Sequence, residues 1–217
     1  KEPTSGIQAI DIAGRKWWEI DTPDDWKSAQ SLFFEYESNL GSAEVVILDV
    51  DGTLIREREV LPGARELIEM LERSGREVFL VSNNSSVAHG ELYSQLCHDF
   101  PTLDSKQLLQ STGALIRFLN EEGKGSVFCL GTRSMAQDLV GSGIIVDAEA
   151  PELVVIGFDQ ELTYEKVRRA SELVNSGIPY VVTHGDVSYP TARGPIPDAG
   201  AITALIAETT GRAPDRV

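Results

Sequence analysis

The sequence is poor in cysteine and contains no long apolar run. Its 217 residues include only two cysteines, Cys97 and Cys129, which lie far apart and lack the spacing of metal ligands. We therefore expect two small buried thiols in a reducing compartment, not a disulfide framework or a zinc site. No apolar run approaches the length of a transmembrane helix and no signal peptide is recognisable, so the expected location is the cytoplasm.

Basic residues are also scarce. The chain has 19 Lys and Arg against 34 Asp and Glu, which gives a formal net charge of -15. An acidic surface of this kind argues against nucleic acid and anionic membranes as partners. It also repels phosphorylated ligands at long range, so a phosphate site here needs a local cation. The 41% of hydrophobic residues is ordinary for a globular chain of one sizeable domain or two small ones.

The strongest chemical signal lies in residues 45–54, Val-Val-Ile-Leu-Asp-Val-Asp-Gly-Thr-Leu. Asp49 ends an apolar run that is typical of a buried strand, and Asp51 lies on the loop just beyond, where Gly52 allows the chain to turn. Ligands of open parallel sheets bind at this end of a strand. Two carboxylates this close repel, so their pKa values separate unless a cation lies between them. The pair therefore suits a nucleophile, a proton donor and bound Mg2+. The alternatives are a calcium loop, whose further acidic ligands do not fit, and an ordinary strand end with solvated carboxylates.

A second polar cluster, Ser-Asn-Asn-Ser at residues 82–85, follows a strand predicted over 77–81. Strand, helix and strand with short links predict a right-handed parallel unit. Hydroxyls, amides and the N–H groups of a helix N-terminus all suit phosphate oxygens. The alternative is simple capping, in which Ser85 or Ser86 caps a helix over 86–98.

Residues 49–54 resemble the first motif of the haloacid dehalogenase superfamily of phosphatases, in the branch with a large α/β cap, and the resemblance covers residues 44–217. It implies hydrolysis of small phosphorylated metabolites through an aspartyl-phosphate, with Asp49 as nucleophile, Asp51 as general acid and base, and Mg2+ bound by both. Ser82 matches the second motif, whose hydroxyl holds the transferring phosphoryl group. The implied phosphate-binding residues are Gly52, Thr53, Ser82, Asn83 and Asn84.

The same resemblance implies an α/β fold with a Rossmann-like parallel-sheet core, incomplete at its C-terminus, and an inserted α/β cap. The expected parts are the first part of the core at 42–108, the cap at 109–184, and a return to the core at 185–217. The family's third and fourth motifs, with a lysine and further acidic metal ligands, have no match. Two copies of the chain could associate through the cap.

The cap is expected to act as a lid, because no pair of acids ends any of its predicted strands. Lids exclude water and select substrates. Thr132, Arg133 and Ser134 could reach a substrate from it, although an ordinary helix start explains each of them as well. After the cap, His184 and a glycine replace the family's usual Asn and Pro before the matching Asp186, so the resemblance assigns no substrate from this loop.

Residues 1–41 lie outside this resemblance. Residues 22–25, Thr-Pro-Asp-Asp, predict the start of a helix that continues to about Glu37. Residues 19–25 resemble the C-terminal end of nucleotidyltransferases that charge sugar or choline phosphates, in which the position matching Asp21 helps to bind the catalytic metal. Two interpretations stay open: an extra helix on the phosphatase core, or the end of an upstream domain. In the second, the chain is an incomplete or inactive fragment of a longer, bifunctional protein.

Overall fold

The structure, a computed structural model, describes residues 44–56, 59–191 and 193–217. The helix and the nucleotidyltransferase-like segment predicted before residue 42 lie outside the described residues. Within these ranges the chain forms an α/β fold with two parallel sheets, as the sequence predicts. The division into domains at residues 108 and 184 stays a prediction.

The elements alternate between strands and helices along most of the chain. The first part contains, in order, β1 (Val45–Asp49), β2 (Ile55–Arg56), β3 (Glu59–Val60), α1 (Ala64–Arg73), β4 (Glu77–Ser82), α2 (His89–Asp99), a 3-10 turn (Ser105–Gln107), β5 (Leu108–Gln110) and α3 (Ser111–Glu121). The second part contains β6 (Ser126–Leu130), α4 (Arg133–Gly141), β7 (Ile145–Val146), β8 (Leu153–Ile156), α5 (Tyr164–Asn175), β9 (Tyr180–Val182), β10 (Ser188–Tyr189), β11 (Ile196–Pro197) and α6 (Ala199–Thr210).

The first sheet places the two motif strands side by side. Its three parallel strands lie in the order β1-β4-β5, and Asp49 of β1 pairs with Val81 of β4, so both strands end at the same edge. Helices α1 and α2 cover one face through Ile68, Leu71 and Leu92, which are buried. The other face carries apolar side chains that are 36% to 46% exposed, namely Val45, Ile47, Val81 and Leu109.

The second sheet is covered on both faces. Its four parallel strands lie in the order β7-β6-β8-β9, with α5 and α6 packed on one face and α3 and α4 on the other. All four residues of β8 are buried, which explains why its sequence is continuously apolar instead of alternating. None of the helices in the described ranges is long and apolar enough to cross a bilayer.

Helix α2 begins later than the sequence predicts. It starts at His89 instead of Ser86, and its N-cap residue Ala88 provides no side-chain hydrogen bond. The prediction that Ser85 or Ser86 caps this helix is wrong. The acceptors come from α4 instead: the N–H of Ala88 donates to Ser134 Oγ at 2.7 Å, and the N–H of His89 donates to the carboxylate of Asp138 at 2.7 Å. Tertiary partners thus replace the local cap.

Further hydrogen bonds connect the two sheets. We call this contact region the seam, which consists of residues 85–91 and their partners beyond residue 130. Thr132 Oγ1 donates to the carbonyl oxygen of Ser86 at 2.7 Å. Ser85 Oγ accepts from the N–H of Phe158 at 2.8 Å. Thr132 and Ser134, considered above as substrate contacts, therefore have structural partners in the seam.

Candidate active site

The loop after β1 fixes where its two carboxylates lie. The N–H groups of Leu54 and Ile55 both donate to the carbonyl oxygen of Val50 at 3.0 Å, and the N–H of Gly52 donates to the carbonyl of Ile55 at 2.7 Å. Gly52 adopts φ 89°, a left-handed conformation that favours glycine. This tight turn directs Asp51 away from the strand and keeps it at the edge of the sheet.

The two carboxylates occupy different surroundings. Asp49 is exposed and accepts a long hydrogen bond of 3.4 Å from Thr53 Oγ1. Asp51 is partly buried, and it accepts from Ser82 Oγ at 3.2 Å and from the hydroxyl of Tyr189 at 3.0 Å. Burial raises the pKa of the Asp51 carboxyl, as does the charge of Asp198, while the hydrogen bonds from Tyr189 and Ser82 oppose that rise. A raised pKa suits Asp51 to carrying a proton.

The structure brings the second polar cluster to the first. Ser82 is almost fully buried at 1% exposure and reaches Asp51 directly. Its Oγ also accepts from the N–H of Asn84 at 3.2 Å, and the side-chain oxygen of Asn84 accepts from the N–H of Ser86 at 2.9 Å. Asn83 is exposed, and its amide donates to the carboxylate of Asp186. Of the predicted phosphate-binding residues, Thr53 and Ser82 contact the two carboxylates, whereas Asn83 contacts Asp186 and the Asn84 oxygen is taken up by the turn.

Sequence reasoning missed Tyr189. This residue lies on β10 in the return loop, defined as residues 184–198 without the undescribed residue 192. Its ring packs against Phe158, with centroids 5.2 Å apart. No local signal marked it, because its hydrogen-bond partner Asp51 lies 138 positions earlier in the chain.

The base of the return loop is closed by polar contacts. His184 Nε2 lies 2.9 Å from Asp198 Oδ1, and its Nδ1 lies 3.0 Å from Thr183 Oγ1. The N–H of Gly200 donates to the carbonyl of Asp186 at 2.8 Å. His184, Asp186 and Asp198 each offer a ligand atom, and these atoms lie within 4.8 Å of one another. Because the side chains of His184 and Asp198 pair with each other and that of Asp186 pairs with Asn83, we assign the three residues to closing the loop.

The donor atoms at the end of β1 fit Mg2+ in their chemistry. Mg2+ binds oxygen ligands and usually keeps several waters, so it needs only one or two carboxylates from the protein. The carboxylate of Asp49 is exposed at this edge. The side chain of Asp51 is directed to Ser82 and Tyr189, so the group that Asp51 would offer a metal is its main-chain carbonyl.

Three comparisons place the chain among known proteins. The sequence profile of haloacid dehalogenase-like hydrolases matches residues 46–145. The acid sugar phosphatase of Staphylococcus saprophyticus is 32% identical over 170 residues, which are 77% of this chain and 66% of that protein. The chain therefore spans just under two thirds of the length of this curated relative.

Solved structures agree in fold. The 4-nitrophenylphosphatase of Thermotoga maritima has a TM-score of 0.77 and 34% identity, over 82% of this chain and 69% of that one. The glycerol phosphate phosphatase of Mycobacterium tuberculosis, solved in complex with magnesium, has a TM-score of 0.71 and 25% identity, over 80% of this chain and 53% of that one. With the two motifs at one sheet edge and these relatives in sequence and fold, the chain belongs to the haloacid dehalogenase-like hydrolase family.

Proposed function

We propose that this protein hydrolyses small phosphate monoesters with Mg2+ through an aspartyl-phosphate intermediate. One observation carries the proposal: an exposed carboxylate, Asp49, stands beside a partly buried one, Asp51, which is hydrogen-bonded to Ser82. Carboxyl groups in different surroundings take different roles in acid–base chemistry. In this proposal the exposed group is the nucleophile, and burial favours the protonated form of the partly buried group by raising its pKa.

The two carboxyl groups divide the reaction between them. In the first step an oxygen of Asp49 attacks phosphorus, the bond between phosphorus and the ester oxygen breaks, and Asp51 gives its proton to the departing alcohol. In the second step Asp51 takes a proton from water, whose oxygen attacks phosphorus, and the bond to Asp49 breaks. Inorganic phosphate leaves, and both carboxyl groups return to their starting states.

The surrounding residues bind and orient the phosphoryl group. The N–H of Thr53 and the second N–H of the Asn83 amide are suited to donate to its oxygens. Ser82 Oγ donates to Asp51 and the N–H of Gly52 donates to Ile55, so these two would bind phosphate only by exchanging those partners. Mg2+ held by Asp49 and the main-chain carbonyl of Asp51 would neutralise negative charge on the nucleophile and the phosphoryl oxygens. A bound cation also supplies what a chain of net charge -15 needs at a phosphate site.

The substrate we propose is a small phosphorylated metabolite such as a sugar, polyol or glycolate-like phosphate. The printed names of the relatives, acid sugar phosphatase and glycerol phosphate phosphatase, support this class. The acidic surface supports a small diffusible substrate over nucleic acid. Self-association through the cap stays a prediction.

The test is release of inorganic phosphate from a panel of such esters, with and without Mg2+. We expect Asp49→Asn to lower kcat by on the order of a thousandfold or more, because the nucleophile is lost while the fold is kept. Glu66→Gln, a matching change of an exposed carboxylate in α1, should leave the rate unchanged. Equal activity in Asp49→Asn and wild type would overturn the proposal, as would phosphate release that is independent of Mg2+.

A further inference from the structure

We propose that Tyr189 is a positioning residue that orients the Asp51 carboxyl for proton transfer to the leaving group. The inference rests on the proposed function and adds a residue from the return loop to the catalytic arrangement. The hydroxyl of Tyr189 donates to Asp51 Oδ1 at 3.0 Å, while Ser82 Oγ donates to Asp51 Oδ2 at 3.2 Å. Each oxygen of the carboxyl therefore has its own hydrogen-bond donor.

Two donors on different oxygens restrict rotation of the carboxyl group. A carboxyl held at one oxygen can still turn about its terminal bond, since such torsions are broad. With Ser82 on one oxygen and Tyr189 on the other, the plane of the Asp51 carboxyl is fixed relative to the end of β1. Orientation of a reacting group contributes to rate because a misplaced acid must first reorganise.

Tyr189 is itself well supported. Its ring lies 5.2 Å from that of Phe158, at an interplanar angle of 36°, and Phe158 is 2% exposed. The N–H of Phe158 donates to Ser85 in the seam. Tyr189 also pairs with Ile196 across the short hairpin of β10 and β11. The hydroxyl therefore reaches Asp51 from a buried, hydrogen-bonded support.

A positioning role for Tyr189 predicts a dependence on the leaving group. An aliphatic alkoxide is a poor leaving group and needs the proton of Asp51, whereas nitrophenolate leaves with little help from an acid. Misorientation of Asp51 should therefore slow the first step far more with glycerol phosphate than with 4-nitrophenyl phosphate. The ratio kcat/KM reports this step, because the alcohol has left before Asp51 acts as the base in the second step. Merely structural damage would slow both reactions alike.

The experiment compares Tyr189→Phe with wild type in the full chain with Mg2+. The variant loses the hydroxyl and keeps the ring on Phe158. We expect kcat/KM for glycerol phosphate to fall about tenfold, a part of the hundredfold or more that a general acid contributes. The value of kcat/KM for 4-nitrophenyl phosphate should change less than about twofold, since departure of nitrophenolate depends little on the orientation of the acid. Tyr93→Phe is the matched control, because its hydroxyl donates to the carbonyl of Leu103 at 3.1 Å in the helical layer.

The readout is the ratio of the two kcat/KM values in one preparation, which does not depend on the fraction of protein that is folded. A lowered ratio in Tyr189→Phe, with an unchanged ratio in Tyr93→Phe, supports the inference. An unchanged ratio in Tyr189→Phe overturns the inference while wild-type activity leaves the proposed function standing. A wild-type chain that hydrolyses neither ester overturns the proposed function, and the inference with it.

Discussion

Replacing Ser85 with alanine should weaken the seam between the two sheets. The Ser85 side chain is fully buried at 0% exposure. Its Oγ accepts from the N–H of Phe158 at 2.8 Å and lies 3.0 Å from Thr183 Oγ1. Alanine fits the same space but removes the acceptor, so the N–H of Phe158 would stay buried without this partner.

The expected loss of stability comes from one donor, the N–H of Phe158. Leaving a buried polar group unsatisfied costs about 1–3 kcal/mol. The hydroxyl of Thr183 adds little, because His184 Nδ1 lies 3.0 Å away and remains available to it. We therefore expect Ser85→Ala to lower the free energy of unfolding by about 2 kcal/mol. For a chain of this size that corresponds to a fall in Tm of roughly 4–8 °C.

Urea unfolding followed by far-UV circular dichroism measures this change. Ser94→Ala is the matched control, since Ser94 Oγ donates to the carbonyl of Gly90 at 2.7 Å on the exposed side of α2. We expect the control to stay within about 0.5 kcal/mol of wild type. If both serine variants shift the urea midpoint equally, the hydrogen bond to Phe158 does not stabilise the seam and the reasoning is refuted.

Two further predictions concern Asp51 and the return loop. Burial raises the pKa of the Asp51 carboxyl above its ordinary value of about 3.9, so the native state binds this proton more tightly than the unfolded state does. The free energy of unfolding should therefore fall as the pH rises from the ordinary pKa through the raised one. In chelator, Asp51→Asn should therefore be more stable than wild type above that window. Thermal midpoints across pH that differ by a constant amount would contradict this. Gly200→Ala places a Cβ 2.3 Å from the carbonyl oxygen of Gly185 and 2.7 Å from that of Asp186, so it should cost about 1–3 kcal/mol in urea unfolding. Gly90→Ala, with open space around it, should cost nothing, and equal midpoints for the two glycine variants would be the contrary result.

The site residues at the ends of β1 and β4 were predictable because their signals are local. An apolar run, a carboxylate pair and a glycine fix the end of β1 within a few residues, and the following helix and strand place Ser82 next to it. The observed hydrogen bond between Ser82 and Asp51 confirms that these two motifs meet. Gly211, which ends helix α6 in a left-handed conformation, is a signal of the same local kind.

Long-range partners were beyond the reach of these patterns. Tyr189 reads as one aromatic residue in a turn-rich segment, and only the path of the chain through the second sheet brings it to Asp51. The predicted start of α2 was wrong for the same reason. Ser85 and Ser86 have side chains that often cap helices, but both are engaged in the seam, and acceptors from α4 bind the first N–H groups instead. Local propensity gives way where a distant side chain competes for the same donor.

The acceptors for the N-terminal amides of helix α2 come from another helix, at Ser134 and Asp138. A hinge motion that drew the sheets apart would release the amides of Ala88 and His89 to solvent. The hydrogen-exchange rate of these two amides would therefore measure how often the two sheets separate. Entry of a substrate that requires such opening would be gated by local melting of one helical turn, on the same timescale as the exchange.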